Sequence, residues 1–191
     1  MIVTEVVNRI RAGGEFTFDY LLLVVLASII AFLGLLENSS VILVASMLVS
    51  PIMGPILAGV FGFVIGDYKL RNRGIQHEVI SIGICIIVGF VCGLLFCLIG
   101  VENYYQKSLD KWPTPEMTSR GNGRSLFIGI LVAIPSGMGV ALSVLGGNVG
   151  SLVGVAISAS LLPPAINAGF YWSIALVSTC TWNMTYVTGI Q

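Results

Sequence analysis

From Ser125 to Gln191 the chain carries not one Asp, Glu, Lys, Arg or His. A second charge-free run covers Val79–Val101, and between Tyr20 and Gly66 the only charge is Glu37. Runs of this length decide the solvent. A helix needs about 20 apolar residues to cross roughly 30 Å of hydrocarbon. Lipid offers backbone N–H and C=O groups no partner, so a spanning segment must satisfy them itself, as a helix or within a closed barrel. The period-two alternation of a barrel strand is absent from this sequence. Charged residues make up 9 % of the chain, against roughly 25 % in a soluble domain. A soluble globular domain, a disordered chain and a nucleic-acid binder are excluded. The expected fold is all-α and integral to a membrane, with the lipid bilayer as its first partner.

Five segments read as spans: Tyr20–Leu36, Val41–Gly66, Val79–Ile99, Leu126–Val144 and Val149–Tyr171. A sixth, Trp172–Ile190, is rich in Thr and Ser. Tyr20–Leu36 holds twelve Leu, Ile, Val or Phe residues, which favour the bilayer by roughly 4–7 kcal/mol. It is too long for the apolar core of a signal peptide and reads as a retained span. The chain then divides into a short N-terminal segment (1–19), a first membrane repeat of three spans (20–101), a polar loop (102–124) and a second repeat, shortened at its end (125–191). Arg9 and Arg11 precede the first span, Lys69, Arg71 and Arg73 follow the second, and the Glu37–Ser40 turn has no base. This places the N-terminus and the basic loop in the cytoplasm. Lys107, Lys111, Arg120 and Arg124 in the third connection run against that count.

A shift of 108 positions lays Val41 on Val149, Ser50 on Ser158 and Pro55 on Pro163. Two halves of three spans each must enter the bilayer with opposite orientations, the inverted-repeat plan of many transporters. The second and fifth spans are interrupted, at Ser50-Pro51-Ile52-Met53-Gly54-Pro55 and at Ser158-Ala159-Ser160-Leu161-Leu162-Pro163-Pro164. Proline lacks an N–H and clashes with the carbonyl four residues back. In continuing helices Pro51 and Pro55 would free the carbonyls of Met47 and Pro51, and Pro163 and Pro164 those of Ala159 and Ser160. A bare carbonyl in lipid costs several kcal/mol. Two readings stand: Pro-kinked helices satisfied by their neighbours, or two discontinuous helices meeting around a polar pathway. Asn167, three residues after Pro164, could bond a freed carbonyl or a permeant. The candidate pathway is therefore Met47, Ser50, Pro51, Gly54, Pro55, Ser158, Ala159, Ser160, Pro163, Pro164 and Asn167.

Small residues recur every four positions, at Ser46, Ser50, Gly54, Ala58, Gly62 and Gly66, and at Gly146, Gly150, Gly154 and Ser158. Such faces let helices approach closely in lipid and predict a homo-oligomer.

The run Ala45–Ile56 (ASMLVSPIMGPI) resembles one signature of domain-of-unknown-function family 389, the "uncharacterised hydrophobic domain" proteins. The run Gly154–Pro164 (GVAISASLLPP) resembles the other, and Asp19-Tyr20 and Gly66-Asp67 also fit. The resemblance covers roughly residues 18–185. It implies a polytopic membrane protein of about six spans with no settled activity. Relatives often add a soluble domain, for which Met1–Phe18 is too short, and the weak sixth span departs from the pattern.

No catalytic set is visible. The one histidine, His77, lies in the basic flank beside Glu78, and a serine nucleophile needs a base. No pair of acids lies within a span, so a carboxylate proton relay is not expected. Cys85, Cys92, Cys97 and Cys180 form no CxxC and read as small hydrophobes. Glu37, Asn38 and Ser39 read as caps of the second span, and Asn148 as the cap of the fifth. No enzyme, cofactor or metal is expected. The sequence points to a transporter or channel for a small ion or neutral polar solute. The alternative is a non-transporting scaffold or sensor whose basic loop meets anionic lipid or a partner.

Overall fold

The computed structural model of the chain describes residues 16–98, 114–119, 123–146 and 161–188. Among these residues the fold is all-helical: α1 (Phe18–Leu36), α2 (Ser40–Val49), α3 (Met53–Ile65), α4 (Tyr68–Leu98), α5 (Pro115–Ser119), α6 (Gly123–Gly146) and α7 (Leu162–Thr188). Among the described residues α1 and α4 are long and apolar enough to cross a membrane. The pair α2 and α3, bent by 61° at its break, counts as a third span if taken together. Residues 147–160, which hold Asn148, Ser158, Ala159 and Ser160, lie outside the described residues.

Three boundaries differ from the expectation. The basic stretch after the second span is not a loop. Asp67 caps α4, its Oδ1 accepting the N–H groups of Lys69 (3.0 Å) and Leu70 (3.2 Å). α4 therefore starts at Tyr68, carries the charges in its first turns and runs for 31 residues, roughly 46 Å at 1.5 Å per residue. The polar loop holds a short helix, α5, and gives way to α6 at Gly123. The division at Tyr171 and Trp172 does not exist, because α7 runs unbroken through both. No proline or glycine follows Gly169 before Thr188 to interrupt it.

The turn between α1 and α2 is built by Asn38, the described non-glycine residue with positive φ (51°). Ser39 N–H donates to Gly34 O (3.0 Å) and Asn38 N–H to Leu35 O (3.4 Å), which closes the last turn of α1. Ser39 then caps α2, its hydroxyl accepting from Ile42 N–H at 3.5 Å. Glu37 is the C-cap of α1. It sits at the carbonyl end of a helix, not at the amino end where an acid was expected to help.

α1 and α4 run in the same direction. Tyr20 meets Ser81, Ser28 meets Cys85, and Phe32 meets Phe96. The rings of Phe32, Phe96 and Phe170 pack edge to face in a trio, with centroids 5.2–6.4 Å apart, and so join α1, α4 and α7. Glycine lets these helices close. A Cβ on Gly169 would strike the carbonyl of Ile86, and one on Gly74 would strike the backbone of Gly59. The small residues of α3 thus serve packing against α4, with Ala58, Gly59 and Gly62 buried there. They do not form one continuous ladder, since the break at Ser50–Ile52 lies between Ser46 and Ala58. Outward positions are apolar, among them Leu22, Leu26, Ile29 and Leu33 on α1, Ile80 and Ile87 on α4, and Phe127, Ile134 and Leu142 on α6. An apolar outside, around a core that is itself mostly apolar and hides its few serine hydroxyls, suits lipid.

Candidate functional site

The break is made by Pro51. A proline pushes the residue before it out of the helical region, and Ser50 is extended (φ −72°, ψ 126°). α2 ends there. Gly54 N–H turns back to the carbonyl of Pro51 (3.0 Å), and α3 begins at Met53 with no side chain capping its start. Pro55 is the third residue of α3, and Pro163 and Pro164 are the second and third of α7. In a first turn the missing N–H has no carbonyl to serve. These prolines therefore start helices and do not interrupt them. The carbonyl of Pro51 is satisfied by Gly54, which removes it from the oxygens expected to be free. Pro51 still has no N–H to give Met47, which is half-buried.

Serine hydroxyls mark what is unusual about the break. Ser28, Ser46, Ser81 and Ser173 are buried, and each donates to a carbonyl of its own helix at 2.7 Å. This is the ordinary way to hide a hydroxyl in an apolar interior. The buried Oγ of Ser50 has no partner, and its own N–H takes Ser46 O at 3.1 Å. A buried donor left unpaired costs roughly 1–3 kcal/mol.

Asn167 is the second such position. It is 8 % exposed; its Nδ2 donates to Met117 O at 3.1 Å, while its Oδ1 is buried without a partner. Met117 belongs to α5, which is tied to the α1–α2 turn through Thr114 Oγ1 donating to Leu35 O (2.9 Å) and Glu116 N–H donating to Asn38 Oδ1 (3.1 Å). Pro163 is fully buried beside Leu162, whereas Pro164 is exposed. Ile52 at the break shares one buried cluster with Leu162, Ala165 and Ile166 of α7. The start of α7 and the break of α2–α3 thus contribute to one core.

Sequence reasoning missed Glu78. Both its carboxylate oxygens are buried without a partner. It lines a pocket of about 390 Å³ with Pro55, Ile56 and Gly59 of α3. Beside Lys69, Arg71, Arg73 and His77 it reads as part of a solvated flank. The signal lay in helical spacing: Gly74, Glu78, Ser81 and Cys85 share one face of α4, and the other three are buried.

The family profile described as Domain of unknown function (DUF389) matches residues 47–189. The chain belongs to this family. The DUF389 match starts at Met47, three residues before the break, and takes in every residue of the candidate pathway. Over 165 residues, 86 % of the chain, it is 29 % identical to the uncharacterised protein MJ0678 of Methanocaldococcus jannaschii. The chain spans 47 % of the length of that curated relative. No solved structure matches the chain. The family and the apolar helices together make it a helical membrane protein.

Proposed function

We propose that this DUF389 chain conducts or transports a small ion or neutral polar solute, and that the break between α2 and α3 is part of its pathway. The observation that carries this reading is the unpartnered hydroxyl of Ser50, buried where two helices bent by 61° meet. A buried polar atom without a partner is the kind of group that would replace part of a solute's hydration. The full pathway in this reading adds the matched half: Ser158, Ala159 and Ser160 ahead of Pro163, with Asn167 Oδ1 as a further acceptor. Helix starts at Met53 and Leu162, each followed within two residues by proline, support a five- to six-span inverted repeat. The dipoles of hydroxyls and carbonyls suit a monovalent cation or a neutral solute better than a multivalent ion. We read the chain as non-enzymatic and as a homo-oligomer in its membrane.

Proteoliposome flux over a panel of ions and small solutes tests the proposal. Flux that disappears in Ser50→Leu and Ser158→Leu, with folding retained, supports it. Background flux across the panel overturns it in favour of a scaffold. Single cysteines at positions 50 and 158, in a background lacking the four native cysteines, should react with a water-soluble thiol reagent. Sites inert from both sides would exclude a wetted centre.

A further inference from the structure

Because α1 and α4 are parallel, they begin at the same end of the molecule. A pocket of about 770 Å³ opens there, a size suited to a small ligand. Phe16 and Thr17, ahead of α1, form one wall, and Lys69, Arg73 and Gln76 of α4 form another. Lys69 and Arg73 are four apart and share a helix face. Both are exposed, and among the described residues neither is in an ion pair. The acid in the lining, Asp67, turns Oδ1 onto the backbone of Lys69 and Leu70 at 3.0 and 3.2 Å. The neighbouring base Arg71 faces elsewhere, its guanidinium 4.9 Å from the centre of the Tyr68 ring. The pocket therefore presents two uncommitted cations beside an apolar patch of Phe16 and Leu70.

We propose that this pocket binds a phosphate ester. The guanidinium of Arg73 matches two phosphate oxygens and the ammonium of Lys69 adds a point charge. Gln76 supplies neutral donors, and the patch of Phe16 and Leu70 takes the carbon portion. The pocket lies where the charged turns of α4 pass into the charge-free run Val79–Leu98, the depth at which lipid headgroups meet a membrane helix. The ester is the headgroup of an anionic phospholipid or a soluble organophosphate. This inference does not depend on the transport reading.

The test titrates the purified chain in nonionic detergent with dihexanoyl-phosphatidylglycerol, dihexanoyl-phosphatidylcholine and inorganic phosphate, following the thermal unfolding midpoint. Saturable stabilisation by phosphatidylglycerol is expected, with weaker stabilisation by the zwitterionic lipid. Lys69→Gln/Arg73→Gln should weaken it at least tenfold, Lys69→Arg/Arg73→Lys should retain it, and Arg71→Gln should leave it unchanged. Saturation by inorganic phosphate as well identifies the phosphate group as sufficient and a soluble ester as a source. Saturation by phosphatidylglycerol alone identifies the lipid. The proposal is overturned if neither ligand saturates, if the double Gln variant binds as the parent does, or if Arg71→Gln loses as much as the pair. Both substituted side chains are exposed, and cooperative unfolding without ligand verifies that the variants fold.

Discussion

The phenolic oxygen of Tyr20 lies 2.7 Å from Oγ of Ser81, across 61 residues of sequence. Ser81 gives its own proton to the carbonyl of His77, also 2.7 Å away, so Tyr20 is the donor of the pair. The two substitutions are then unequal. Tyr20→Phe removes one buried hydrogen bond and should lower stability by about 0.5–1.5 kcal/mol. Ser81→Ala leaves the tyrosine proton without an acceptor and should cost about 1–3 kcal/mol. Denaturant unfolding in detergent of the singles and the double measures this. A double mutant as costly as the two singles summed would show that the pair does not interact.

Gly169→Ala should separate α4 from α7, because the added methyl meets the backbone of Ile86 and Phe90, which cannot yield as a side chain can. The expected loss is about 1–3 kcal/mol. Gly137 on α6 has nothing within 4 Å of its Cβ position, so Gly137→Ala should stabilise by up to about 1 kcal/mol through helix propensity. Equal unfolding midpoints for the two variants would contradict the packing of α7 on α4.

Phe170→Ala removes the ring that touches both Phe32 and Phe96, at 5.2 and 5.9 Å. The site is fully buried, and a loss of about 3–5 kcal/mol is expected. The phenylalanine bands of the near-ultraviolet circular dichroism should weaken while helix content persists. A variant with parental stability would mean that the trio does not form.

Glu78→Gln keeps the shape and removes the charge. A carboxylate whose oxygens are both buried and unpartnered is held at a desolvation cost. The variant should unfold at a higher temperature than the parent, by an amount on the order of 1 kcal/mol, whereas Glu78→Ala leaves a space and should not. A lower midpoint for Glu78→Gln would reveal a partner for the acid.

The all-helical membrane class was written in the charge-free runs, because no arrangement of such segments in water could cover their surface. The place of the α2–α3 break was legible in Pro51, since the conformational limit on the preceding residue is local. What the prolines do was not. Pro55, Pro163 and Pro164 disrupt a helix in its middle and start one in its first turn, and the choice depends on where the helix begins. Lys69, Arg71 and Arg73 read as a loop because charge suggests solvent. The cap by Asp67 and the left-handed Gly66 (φ 77°) instead turn the chain straight into α4. Glu78 was hidden for a related reason: its neighbours in sequence are cations, and its neighbours in space are Pro55, Ile56 and Gly59. Asn167 was singled out by its distance from Pro164, but its bond to Met117 links segments 50 residues apart, and no local pattern encodes that.

The two arms on either side of Ser50 rest on different supports. α2 lies on α1, where the Cβ position of Gly34 is 3.1 Å from Leu43, and α3 lies on α4 through Gly59 and Gly74. A shear between α1 and α4 would therefore be delivered to Ser50, Pro51 and Ile52, since each arm follows its own wall. The elbow between them acts as a mechanical gauge of how those two walls stand.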